Sequence, residues 1–112
     1  MSRFKEILPQ EVSRLSEEGG QIKLIDVRTP EEFTEIRSVL AQNLPLDQLS
    51  SEKVESLGLK KDDPIYMICR SGARSAKACE ILADAGFTQL YNVTGGTLGW
   101  AEKGLPTAKG NY

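Results

Sequence analysis

The stretch Ile68-Cys69-Arg70-Ser71-Gly72-Ala73-Arg74-Ser75 places one cysteine ahead of two arginines, a glycine and two serines, in a chain with no histidine. A cysteine attacks as the thiolate, so something other than imidazole has to hold its negative charge. Fixed backbone N–H groups, a helix N-terminus and guanidinium charge can do this. Arg70, Arg74 and Lys77 supply charge, and no Asp or Glu occurs from Pro64 to Cys79. Bringing a thiol from about 8.5 to about 6.5 requires roughly 2.7 kcal/mol of differential stabilisation. Several charge-assisted N–H bonds at about 1.5–3 kcal/mol each suffice. A lone cysteine at a strand end would be read as a small core hydrophobe. The two arginines and the glycine favour a nucleophile instead.

Such a loop needs a strand before it and a helix after it. Pro64-Ile65-Tyr66-Met67-Ile68 is short, apolar and β-prone, bounded by Asp62-Asp63. Arg74 to Ala85 carries Ala76, Cys79, Leu82 and Ala83 at helical spacing and stops at Gly86. Upstream, Phe4–Ile7 predicts a short edge strand and Pro9–Glu18 a helix ended by Gly19-Gly20. Gln21–Val27 predicts a further strand. Thr29-Pro30-Glu31-Glu32 is a full helix start, with Thr as N-cap, Pro at the first position and Glu at the third. An extended piece around Asn43-Leu44-Pro45, a helix over Ser51–Leu57 and a strand over Gln89–Val93 complete the alternation. This order predicts a small α/β domain with a mainly parallel sheet of about five strands and helices on both faces. In such sheets ligands bind beyond the carboxyl ends of the strands, where Cys69 and the Asp26-Val27-Arg28 segment both fall.

The 112 residues fit one domain, with a core over about 4–106 and a mobile tail over 107–112. A formal charge of −2, from 14 Lys+Arg against 16 Asp+Glu, provides no basic stripe for nucleic acid. The N-terminus lacks an apolar run of signal-peptide length and no segment approaches a membrane span, so the expected location is cytoplasmic. Cys69 and Cys79 are too few for a metal site. About 9 Å of helix axis lies between the start of the helix and Cys79, too long for a bridge to Cys69. Cys79 falls on the apolar helix face and reads as core, a redox-sensing thiol being the alternative.

Together, IDVRTPEEF at 25–33, NLPL at 43–46, ICRSGARSAKACEILADAGF at 68–87, NVTGGTLGW at 92–100 and GLP at 104–106 resemble the rhodanese, or single-domain sulfurtransferase, family over nearly the whole chain. The resemblance implies a catalytic Cys69 that takes a sulfane sulfur from a donor such as thiosulfate, carries it as a persulfide and passes it to a thiophilic acceptor such as cyanide or a thiol. It implies no metal and no organic cofactor. The backbone of Arg70, Ser71, Gly72, Ala73, Arg74 and Ser75 would bind the substrate sulfur, with the two arginines meeting an anionic donor. Of these, Arg70 is expected to point outward and Arg74 to help organise the loop. Asp26 and Arg28 are expected to support the loop rather than react. Gly95-Gly96 serve turn conformations and Trp100 the core. Relatives usually carry Gly-His-Ile where this chain has Ile36-Arg37-Ser38.

Two other functions fit the same residues. A persulfide carrier or regulatory module would act on a protein partner instead of a small acceptor. A cysteine phosphatase or arsenate reductase would use the same thiolate and arginine on an oxyanion. Cys69 to Arg74 encloses four residues, against five in the phosphatase loops this one resembles, and Asp26 is a weak candidate for the general acid those enzymes need.

Overall fold

The computed structural model describes residues 3–110. Five parallel strands form the central sheet: β1 (Lys5–Ile7), β2 (Leu24–Asp26), β4 (Ala41–Asn43), β5 (Pro64–Ile68) and β6 (Gln89–Val93), in the order β1-β6-β5-β2-β4. β5, the strand that delivers Cys69, therefore lies at the centre. The pleat of β5 sends Ile65 and Met67 to one face and Tyr66 and Ile68 to the other. Helices α3 (Ser51–Ser56) and α4 (Ala73–Asp84) cover the first face through Val54, Ala78, Cys79 and Leu82. Helices α1 (Pro9–Glu17) and α5 (Gly96–Glu102) cover the second through Val12 and Trp100. The α/β architecture with a parallel sheet and helices on both faces agrees with the sequence reading. Among the described residues no helix is long and apolar enough to cross a membrane.

Local signals account for the element ends. In α2 (Pro30–Glu35), Thr29 Oγ1 accepts from the Glu32 N–H at 3.2 Å and Glu32 accepts from the Thr29 N–H at 3.2 Å, so the expected capping box forms. Ser50 caps α3 by accepting from the Lys53 N–H. β2 is shorter than the expected Gln21–Val27, and at its N-terminal end this follows from its register with β5, where Leu24 opposite Tyr66 would set Ile22 against Pro64, which has no N–H to donate.

The Ile36-Arg37-Ser38 departure becomes a second, two-stranded sheet. β3 (Arg37–Ser38) pairs antiparallel with β7 (Thr107–Ala108). The Arg37 guanidinium lies over the Phe33 ring and donates to the carbonyls of Phe33 (3.0 Å) and Gly110 (2.9 Å). Gly110 N–H donates to Thr34 O at 2.7 Å. Thr107, Ala108 and Gly110, which make these contacts, fall in the stretch read from the sequence as a mobile tail; residues 111–112 lie outside the described residues.

Candidate active site

β5 ends at Ile68, and Cys69 opens a short turn whose Gly72 takes φ +120°, a conformation costly for any residue with a Cβ. This glycine turns the chain into α4, which has no acidic residue in its first turn. The turn curls amides around the sulfur. Gly72 N–H donates to Cys69 Sγ at 3.1 Å, and the Ser75 hydroxyl lies 3.2 Å from it. Burial pushes the thiol up, but the Ser75 hydroxyl and the N–H groups of Ser75, Gly72 and Ser71 outweigh it and hold Cys69 below its ordinary value. The thiol is buried while Arg70, Ser71 and Ala73 in the same turn are exposed.

A second helix start holds the other side of this turn. Thr97 donates to Cys69 O from its N–H at 2.8 Å and from its hydroxyl at 2.9 Å, and Leu98 N–H donates to Arg70 O at 3.1 Å. With these carbonyls tied to α5, the N–H groups of the turn are free to face inward. Gly95 and Gly96 both take positive φ here, and a Cβ on Gly96 would stand 2.5 Å from Arg70 O and 2.6 Å from Cys69 O.

Asp26 and Arg28, at the end of β2, form a closed pair. Arg28 reaches both carboxylate oxygens of Asp26 through Nε and Nη2 at 2.8–3.1 Å, and Nη2 also donates to Ile36 O at 2.6 Å. Both side chains are almost wholly buried. Asn43 Nδ2 ties the backbone together by donating to Asp26 O and Arg28 O, both at 3.0 Å. This is a brace for the strand ends.

The two arginines separate. Arg74 makes a two-pronged ion pair with Glu32, Nη1 to Oε1 at 2.7 Å and Nη2 to Oε2 at 2.8 Å, and so belongs to α2 as much as to the loop. Arg70 makes no side-chain ion pair among the described residues and is exposed at the mouth of the turn. Sequence reasoning missed Glu32, whose place in the capping box already accounted for it, and Asn92, which lies within reach of Ser75 and Gly72. Cys79 is buried in the core and pushed up to about 12, first by burial and then by the negative charges of Glu6 and Glu80. Among the described residues no group of His, Cys, Asp and Glu could hold a metal.

The Glu32–Arg74 pair has a pH signature. Arg74 holds the Glu32 carboxyl down at about 2, partial burial opposes this, and the Thr29 N–H assists it. The folded value lies below the unfolded value of about 4.3, so the stabilisation is complete above about pH 4.3 and is lost as pH falls toward 2. Glu32→Gln is expected to melt a few degrees below the parent at neutral pH, with the gap closing between about pH 4 and pH 2. Thermal melts of both proteins across that range check this, and a gap independent of pH would mean that Glu32 acts by shape and not by charge.

The profile of the family described as "Rhodanese-like domain" matches residues 8–103. A protein of Allochromatium vinosum named sulfurtransferase is 34% identical over 101 residues, covering 90% of this chain and 92% of its own length. An Arabidopsis thaliana protein named thiosulfate sulfurtransferase 16, chloroplastic, is 38% identical over 100 residues, covering 76% of this chain and 78% of its own. Among solved structures, a rhodanese-like domain protein from Staphylococcus aureus superposes with a TM-score of 0.75 at 30% identity, covering 91% of this chain and 96% of that one.

Proposed function

This chain belongs to the rhodanese-like domain family; we propose that it is a sulfurtransferase that moves a sulfane sulfur from thiosulfate or a persulfide donor to a thiophilic acceptor through a persulfide on Cys69. The observation that carries this reading is the buried Cys69 Sγ enclosed by the N–H groups of Ser71, Gly72 and Ser75, with its ionisation favoured in the absence of any histidine. In the first step the Cys69 thiolate attacks the outer sulfur of thiosulfate, the S–S bond of the donor breaks, and sulfite leaves with the electron pair. The new persulfide is again a monoanion, so the cradle that held the thiolate would hold its terminal sulfur without a proton being moved. In the second step cyanide or a thiolate attacks that terminal sulfur, and the thiolate of Cys69 returns as leaving group. In this reading Arg70, which is exposed, meets the anionic end of a donor, and Arg74, Asp26 and Arg28, each in an ion pair, keep the loop in shape.

Two features bear on the alternatives. The Asp26 carboxylate is fully buried and spent on Arg28, which leaves it poorly suited to protonate the leaving group of a phosphoester. A recess of about 180 Å³ beside Arg70, lined by Ile36, Leu98 and Ala101, offers apolar surface larger than an inorganic ion requires. It keeps a persulfide carrier acting on a protein partner as the second reading. The test is to treat the protein with thiosulfate and examine the peptides by non-reducing mass spectrometry. One added sulfur on the Cys69 peptide, removed by cyanide, is expected. Absence of that sulfur, or its appearance on Cys79, would overturn the reading.

A further inference from the structure

Asn92 is the fourth of the five residues of β6 (Gln89–Val93), and the pleat puts it on the same face as Leu90, toward α4. It is 3% exposed. Its Nδ2 donates to Glu6 Oε2 at 2.9 Å and to Gly72 O at 3.1 Å. Those two acceptors use both amide protons, so Oδ1 is the atom turned to the Ser75 hydroxyl, with which it makes a hydrogen bond. Ser75 is wholly buried and has a single proton to give. Three acceptors surround it: Asn92 Oδ1, Gly72 O at 3.2 Å and Cys69 Sγ at 3.2 Å. Gly72 O already accepts from Asn92 Nδ2 and from Ala76 N–H at 3.1 Å. The choice for the Ser75 proton is therefore between Asn92 and the reacting sulfur.

We propose that Asn92 is a positioning residue that competes with Cys69 for the Ser75 hydroxyl proton and so sets how readily the Cys69 thiolate forms. In the neutral thiol, Ser75 donates to Asn92 Oδ1 and turns a lone pair toward the sulfur, where it can accept from S–H. When Cys69 ionises, the hydroxyl rotates to donate to Sγ, and Asn92 Oδ1 is left without its donor in a buried place. That loss belongs to the thiolate state alone. The N–H groups of the turn thus favour ionisation while Asn92 moderates it. The charged groups around the site come from several elements: Arg74 of α4 paired with Glu32 of α2, Arg28 paired with Asp26 beyond β2, Arg70 in the turn, and Glu6 of β1 at the far end of the Asn92 side chain. Rotation of the hydroxyl displaces none of them.

The inference deepens the sulfurtransferase reading but is tested without a sulfur donor, so a chain that failed to transfer sulfur would still report on it. The measurement is the pH dependence of Cys69 alkylation, with Cys79 buried and protonated, in the parent, Asn92→Leu, Ser75→Ala and the double variant. Without Asn92 the Ser75 proton has only the sulfur and Gly72 O to choose between, and Gly72 O keeps its Ala76 N–H when the proton turns to the sulfur, so Asn92→Leu should lower the midpoint by about half a pH unit or more. Ser75→Ala should raise it, and the double variant should titrate with Ser75→Ala because the competed proton is gone. An unchanged or raised midpoint in Asn92→Leu, or the same downward shift in the Ser75→Ala background, would overturn the proposal. Should Asn92→Leu not fold, Asn92→Ala carries the same expectation with the same two outcomes, thermal unfolding establishing that each protein is native.

Discussion

Cys69→Ser is expected to abolish sulfur transfer, by roughly 10⁴-fold or more, while leaving the melting temperature nearly unchanged. A serine hydroxyl is close in size to the thiol and can still accept from Gly72 N–H, so the turn keeps its inward-facing donors. What it lacks is a sulfur able to form an S–S bond and to leave as a stable anion. The neighbouring thiol provides the contrast. Cys79 lies on the core face of α4, its ionisation pushed up to about 12, and Cys79→Ala should lose packing and keep most of the activity. Turnover of thiosulfate with cyanide, alongside melts of the two variants, distinguishes these outcomes. Equal loss in both, with both folded, would make Cys79 a participant.

The second large effect is expected at a residue that touches no substrate. Gly96→Ala puts a methyl group 2.5–2.6 Å from Arg70 O, Arg70 C and Cys69 O, all backbone atoms with nowhere to retreat, at a φ of +59° that side chains disfavour. Overpacking and the left-handed conformation together cost about 2–4 kcal/mol, which in a domain of this size lowers the melting temperature by about 10 °C or more. Relief comes by pushing the Cys69 and Arg70 carbonyls away from Thr97 and Leu98, which rotates the Arg70–Ser71 peptide plane, whose N–H serves the sulfur. The folded fraction should therefore alkylate with a midpoint nearer that of a free cysteine and transfer sulfur poorly. A variant that melts lower but keeps the parent midpoint would show that α5 stabilises the turn without shaping it.

These residues also show what the sequence can and cannot disclose. The box of Thr29 and Glu32, the strand before Cys69 and the Gly72 turn are local, and each could be read from neighbours in the chain. The Arg74–Glu32 pair joins residues 42 positions apart, and nothing near either one distinguishes a loop arginine that meets substrate from one that meets a carboxylate. The resemblance gave Arg74 both a place among the substrate residues and a share in organising the loop, and its guanidinium pairs with Glu32 of α2. Asn92 left a faint mark, a polar residue at the same strand parity as Leu90, which becomes visible only once α4 is known to cover that face. The pairing of β3 with β7 is two residues long on each side, too short for any periodicity to develop.

The strand order has a consequence for how the protein is made. β1 begins the sheet in sequence but pairs only with β6, and its Glu6 meets Asn92 86 positions later. A nascent chain therefore has to carry its first strand unpaired until nearly all the rest has been synthesised, and pairings of such separation are slow to form. Cys69 leaves the ribosome well before Asn92, Gly96 and Thr97, the residues that order its surroundings. Until they arrive the carbonyls of Cys69 and Arg70 lack the donors of Thr97 and Leu98, so the turn around the thiol is held on both sides only once the end of the sheet and α5 are in place.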